Sequence, residues 1–224
     1  MLFPDPFPDY LAAGLARMLP GPPAQYKMAG LRRLEERGLQ ATPPSDVKLA
    51  AVLILLFMQD QTWHLTLIQR TVNLRDRHSG QISFPGGRYE PQDETLANAA
   101  LREAQEELGV RPERVRLLGR LTELYVPVSN FVVHPFVGVL VDGESPAFTP
   151  QPGEVATILV PPLAIFLEGS SRKTTDITVS ETVTLSNVPY FEVEGRILWG
   201  ATAMILNEFL EVVQTGLIKV DENS

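Results

Sequence analysis

No cysteine occurs in the 224-residue chain, which excludes a disulfide framework, a thiolate nucleophile and a Cys-based zinc site. Basic charge is also in deficit: 19 Lys and Arg face 27 Asp and Glu, for a formal net charge of -8. That balance argues against non-specific binding to nucleic acid or to an anionic membrane, both of which need a basic field. A phosphate-bearing partner would then need local basic residues or metal ions. Long apolar runs are missing as well, since AAVLILLFM at 50–58 is far too short to span a bilayer and suits a buried strand. The first residues, MLFPDPFPDYLAAG, carry prolines and aspartates where a signal peptide would have a basic start and an apolar core. The expected location is the cytosol.

What is present suffices for one substantial core, at 44% hydrophobic and 21% charged residues. Tyr10–Met18 has helical composition, and Met28–Leu39 sets Leu31, Leu34 and Leu39 among charged residues in a one-sided pattern. Pro43-Pro44 closes this stretch. Residues 1–44 therefore read as an N-terminal helical extension, suited to packing on the domain at 45–224 or on another subunit, as in a homodimer. From Val47 the pattern turns to strands. Val47–Met58 reads as a central strand covered on both faces, and Trp63–Gln69 as its hairpin partner.

The loop from 70 to 80, RTVNLRDRHSG, gathers Arg70, Arg75, Arg77 and His78 against Asp76 alone. In so acidic a chain it offers a place for an anion. The same arginines would also serve a solvated loop paired with nearby acidic residues. Beyond it lies FPGGRYEPQDETLANAALREAQEELGV at 84–110. Pro85 predicts a turn, and Gly86-Gly87 permit close backbone approach. Asp93 is the expected cap of a helix running from about Glu94 to Leu108, with Gly109 as its stop. At 100° per residue, Ala97, Leu101, Ala104 and Leu108 form the expected packing face.

Glu103, Glu106 and Glu107 project together on the other side of that helix. Adjacent like charges at such spacing destabilise a helix unless something neutralises them. Carboxylate oxygens are suitable ligands for a hard divalent cation, and Arg102, four before Glu106, can orient a carboxylate through a forked hydrogen bond. A solvated glutamate face is the alternative.

Together Gly87, Glu94, Arg102, Glu103, Ala104, Glu106, Glu107, Gly109 and Val110 resemble the Nudix box, G-x5-E-x7-R-E-U-x-E-E-x-G-U with U aliphatic, at about 87–110. Six residues rather than five separate Gly87 from Glu94. That extra residue is similar to the coenzyme A diphosphatase branch, as are Leu67, Arg70, Thr71, Arg75, Gly80 and Phe84–Gly87 upstream. Downstream, SNFVVHPFVG at 129–138 and the WGATA that starts at Trp199 resemble the same branch, with Asn130 in place of a glycine.

The resemblance implies an α/β protein, a Nudix-type α/β/α sandwich with a mixed sheet. It implies an enzyme that uses Mg²⁺ or Mn²⁺ to hydrolyse the diphosphate of coenzyme A or its derivatives to adenosine 3′,5′-bisphosphate and a 4′-phosphopantetheine product. Glu103 and Glu107 are then the expected metal ligands, with Glu106 and the Gly87 carbonyl beside them. Arg102 orients them, and Arg70, Arg75 and Arg77 supply counter-charge to the substrate. Glu154, after the flexible Pro152-Gly153, is a candidate general base or ligand, with an exposed residue at a strand start as the alternative. The other functional readings are hydrolysis of another nucleoside diphosphate derivative such as ADP-ribose, and a silent domain that only binds a nucleotide.

Three further elements complete the expectation: strands at Val115–Thr122 and at Ser129–Val141, the latter interrupted by Pro135, and a core strand at Val155–Val160 before a short helix. Gly169–Glu194 reads as a hairpin or flap. Its Tyr190 and Phe191 are candidates for stacking on an adenine or lining an acyl groove, with core packing as the alternative. ILWGATAMILNEFLEVV at 197–213 is a core helix.

Overall fold

Strand β1 (Lys48–Gln59) is the axis of the molecule. Ile54 and Leu56 enter one apolar cluster, while Ala51, Leu53, Leu55 and Phe57 enter another on the opposite face. Its near-continuous hydrophobicity follows from being covered twice. The computed structural model describes residues 6–30, 43–73, 78–141, 146–180 and 182–221.

β1 runs parallel to β8 (Phe131–Leu140), with Ala51 opposite His134 and Ile54 opposite Val137. Its other edge is shared by two antiparallel strands. β2 (Thr62–Leu65) follows a tight turn in which Asp60 and Gln61 both have positive φ, as a two-residue hairpin turn requires. β5 (Gly86–Arg88) takes the rest, with Gly87 opposite Ala51. β6 (Val115–Arg120) and β7 (Leu124–Val126) line the far side of β8 and complete a six-stranded mixed sheet.

A three-stranded sheet places β3 (Leu67–Arg70) between β4 (Ile82–Ser83) and β9 (Val155–Leu159). Another joins β10 (Arg172–Ser180), β11 (Val183–Val193) and β12 (Arg196–Trp199). Helix α1 (Phe7–Leu15), the single turn α2 (Pro22–Gln25) and the long α5 (Gly200–Asp221) lie on the Ile54 side. Helix α3 (Leu96–Leu108) lies on the Leu53 side, where Ala99, Ala100 and Ala104 let it approach β1 closely. The short α4 (Ala164–Leu167) follows β9. The result is the expected mixed α/β architecture with helices on both faces and an N-terminal helix in place.

Several expectations need correction. The packing face of α3 is rotated: Ala100, Ala104, Glu107 and Leu108 are buried, whereas Ala97 and Leu101 are only half-buried. The helix starts at Leu96, capped by Thr95, whose side chain accepts from Asn98 N at 3.1 Å. Gly109, at φ 74°, ends it as expected. Gly86-Gly87 form an extended strand instead of a turn.

Trp63–Gln69 is two strands, because the chain leaves β1 at Thr66 and passes into the second sheet. β8 continues through Pro135, which falls where its antiparallel partner changes from β7 to β6, so the missing N–H disrupts no ladder. The helix expected at Met28–Leu39 does not start there: Tyr26–Met28 is a 3₁₀ turn and Ala29 is extended, while residues 31–39 lie outside the described residues. Gly169–Glu194 does form a hairpin, β10–β11.

Candidate active site

Four elements converge beside the first half of β1. β5 presents Gly86 and Gly87, α3 presents Arg102 to Glu107, and the adjacent ends of β3 and β9 present Arg70 and Glu154. Pairing fixes the last two, since Arg70 stands opposite Val155 and Thr71 N donates to Glu154 O at 2.8 Å.

Gly87 has no side chain because Glu103 occupies that space. A Cβ there would lie 2.6 Å from the Glu103 carboxyl carbon. Next to it, Gly86 N–H donates to Glu107 Oε2 at 2.8 Å. Glu107 is buried at 1% exposure, on the packing face of its helix. Burial pushes its carboxyl up to about 8, reinforced by the negative charges of Glu103 and Glu154 and opposed by the Gly86 N–H and the charge of Arg70. Burial likewise raises Glu103, with Glu106 and Glu154 adding to the effect and Arg102 working against it.

Arg102 organises the cluster. Its Nε donates to Asp93 Oδ1 at 2.7 Å and its Nη2 to Asp93 Oδ2 at 3.3 Å and to the Arg88 carbonyl at 3.0 Å. The remaining nitrogen, Nη1, lies 3.0 Å from Glu103 Oε1 and donates to Glu106 Oε2 at 3.2 Å. Asp93 is buried and takes Glu90 N–H at 2.7 Å, and the Arg102 guanidinium holds its carboxyl below the usual range. Sequence reasoning treated Asp93 as a helix cap and missed this role. The signal was present: five residues separate Gly87 from Asp93, the interval the box assigns to its acidic residue. Glu94 is the inserted residue. It is exposed, has φ 60°, and forms the corner between the Pro91–Asp93 turn and α3.

The expected residues are therefore not all equivalent. Glu103 and Glu107 lie together at the floor, while Glu106, at 46% exposure, is turned to Arg102 at the rim. Glu154 and Arg70 are close enough for their charges to act on Glu107. Arg75 and Arg77 lie outside the described residues. Phe191 is a core residue packed edge-on against Phe166, with ring centroids 5.6 Å apart, and Tyr190 is half-buried.

Among the described residues no three acidic or histidine side chains converge into a ready-made metal group. Arg102 and the Gly86 N–H hold the carboxylates instead. The donor set nonetheless fits a hard cation. Glu103 and Glu107 bring carboxylate oxygens together out of solvent, the ligand type a hard divalent ion takes.

The Nudix domain family model matches residues 47–176, more than half of the chain. The chain belongs to the Nudix family. It is 34% identical over 180 residues to NudL of Photorhabdus laumondii, named as an uncharacterised Nudix hydrolase, covering 79% of this chain and 93% of that one. It is 33% identical over 170 residues to the chloroplastic Nudix hydrolase 22 of Arabidopsis thaliana, covering 74% of this chain but 55% of that longer one. In fold it is similar to a MutT/Nudix family protein from Enterococcus faecalis, at 18% identity and a TM-score of 0.52, over 86% of this chain and 73% of that one. As a Nudix hydrolase the protein is an enzyme acting on pyrophosphate bonds, and this family generally depends on divalent metal ions. Among the described residues no helix is long and apolar enough to cross a membrane.

Proposed function

We propose that this Nudix hydrolase cleaves the diphosphate of coenzyme A or its derivatives, with Mg²⁺ or Mn²⁺, to adenosine 3′,5′-bisphosphate and a 4′-phosphopantetheine product. The observation that supports this reading most is the position of Arg70. It belongs to the segment resembling the coenzyme A branch, and β3 delivers it to the acidic site, where its charge acts on Glu107.

Glu103 and Glu107 are the residues that would hold the cation, with Glu106 and the Gly87 carbonyl as further oxygen donors. The bound cation would neutralise the diphosphate and make water a better nucleophile. The chain's own contribution is positional and acid–base. The Arg102–Asp93 fork keeps Glu103 and Glu106 from recoiling from each other, and the Gly86 N–H aims Glu107. Glu154 accepts the proton of the attacking water as its oxygen bonds to phosphorus and the bridging P–O bond breaks. Arg70, with Arg75 and Arg77, supplies counter-charge to the adenosine phosphates.

A panel of coenzyme A and ADP-ribose with Mg²⁺ or Mn²⁺ tests the reading. Faster turnover of coenzyme A is expected. Preference for ADP-ribose would reject the coenzyme A assignment alone, and tight nucleotide binding without turnover of any diphosphate would reject the catalytic one. For the metal ligands, E103Q and E107Q should each lose most turnover while remaining folded, and near-wild-type rates would refute their assignment.

A further inference from the structure

Glu154 lies close enough for its charge to act on Glu103 and Glu107, at the end of a Pro152-Gly153 tip where Gly153 has φ 88°. Repulsion alone would swing its exposed carboxylate out to solvent. Gln151 opposes that motion. Its backbone N–H donates to Glu107 O at 3.3 Å, fastening the loop to the end of α3 that carries the buried acid. Its carbonyl accepts from Glu154 N at 3.3 Å and Val155 N at 3.1 Å, closing the loop into a turn. Its side-chain Nε2 donates to Glu154 Oε1 at 3.4 Å.

The other amide atom, Oε1, is buried with no donor among the described residues. A buried polar atom left unmatched is destabilising, and an apolar residue of equal size would avoid that. A neutral amide has one property that an apolar residue lacks, and another that a lysine or arginine lacks. It fixes one carboxylate oxygen by hydrogen bonding, and it adds no positive charge that would weaken the carboxylate as a base.

We infer that Gln151 is a positioning residue, tying the Glu154 carboxylate to the Glu107 end of α3 so that it faces the acidic site. The inference rests on the role proposed for Glu154. It concerns kcat, because an interaction that aligns a base matters most in the transition state.

The test is steady-state kinetics of the full-length enzyme with Mg²⁺, on whichever of coenzyme A and ADP-ribose the wild type turns over faster. The variants are Q151A, the volume-preserving Q151L, E154Q and the double variant Q151A/E154Q, each with its thermal midpoint. E154Q is expected to lose roughly 100-fold or more in kcat, the scale of a general base. Q151A and Q151L are expected to lose about tenfold in kcat at unchanged KM and without a fall in thermal midpoint. On the E154Q background, Q151A should add nothing.

Wild-type kcat in Q151A and Q151L beside an impaired E154Q would overturn the positioning role alone. So would a loss carried by KM, or one repeated in full on the E154Q background. A wild-type rate in E154Q would overturn the role of Glu154 and this inference with it, as would turnover of neither substrate.

Discussion

The Arg102 guanidinium grips both oxygens of the buried Asp93 carboxylate, at 2.7 and 3.3 Å, and reaches Glu103 and Glu106 with the nitrogen that remains. One cation thus holds three acids, only one of which is buried away from the reaction. Asp93 acts as the anchor, because a guanidinium pinned at two atoms cannot rotate away from the others.

From that fork, D93N should lower turnover at least tenfold and destabilise the fold by about 1–3 kcal/mol, the range for leaving a buried hydrogen-bonding group unmatched. E94Q, at the neighbouring exposed corner, should be indistinguishable from wild type. Activity assays and urea denaturation of the two variants check the contrast. Equal effects would show that Asp93 is not the anchor.

Gly86 and Gly87 are adjacent, yet their alanine variants should fail differently. At Gly86 a Cβ would meet the Val52 Cα at 2.6 Å, in the backbone of a central strand that cannot move. At Gly87 the obstacle is the flexible Glu103 carboxyl group. G86A should therefore unfold or lose several kcal/mol by denaturation, a steric effect in a closely packed core. G87A should stay folded, displace Glu103 and lose most turnover. A stable G86A or an active G87A would contradict this assignment.

Burial raises the Glu107 carboxyl from 4.5 to about 8, and the sign of the resulting pH dependence is fixed. A carboxyl that holds its proton more tightly in the folded state contributes stability fully below about 4.5, and loses it as pH rises through about 8. In chelator the thermal midpoint should fall between these limits, with an upper bound of about 5 kcal/mol in stability. E107Q should flatten that fall. Adding Mg²⁺ at pH 8 should restore stability by about 2.7 kcal/mol at a hundredfold excess over its dissociation constant. A flat profile in the chelated wild type would show that Glu107 is not buried with its charge uncompensated.

The sequence made the acidic helix legible because spacings of three and four on a helix allow few geometries, and Gly109 is an unambiguous stop. The rotation of α3 was not legible. Two sets of alanines and leucines compete for the packing face, and period alone does not indicate that Glu107 would be buried beside them. The role of Asp93 was hidden because Glu94 supplies an acidic residue to the box and an aspartate ahead of a helix reads as its cap, the part that Thr95 takes. The departure of the chain at Thr66 was hidden because Trp63, Leu65 and Leu67 keep a period of two straight through it, so the pattern reads as one strand across the change of sheet. In α5 the apolar spacing showed a core helix, but it gave no sign that two buried polar residues within it tie down the N-terminal segment.

Those residues are Asn207 and Glu208, both fully buried. Glu208 accepts from Gln25 Nε2 at 2.8 Å, Thr122 Oγ1 at 2.7 Å, Gly21 N at 3.1 Å and Thr122 N at 3.3 Å. Asn207 Nδ2 donates to Ala24 O at 2.8 Å. These bonds fasten residues 21–25 onto α5, on the side of the sheet away from the acidic site. E208A would leave two backbone N–H groups and the Thr122 hydroxyl without an acceptor, with Gln25 Nε2 keeping only the Thr122 carbonyl at 2.9 Å, and should cost about 3–5 kcal/mol. E208Q keeps one acceptor oxygen but turns an amide toward donors, so an intermediate loss is expected. In both variants the folded fraction should keep the wild-type KM and kcat, because nothing in this network reaches Glu103, Glu107 or Glu154. Denaturation curves combined with kinetics below the unfolding transition check both halves of the prediction. A loss of kcat at unchanged stability would show that the N-terminal segment acts on the chemistry as well as on the fold.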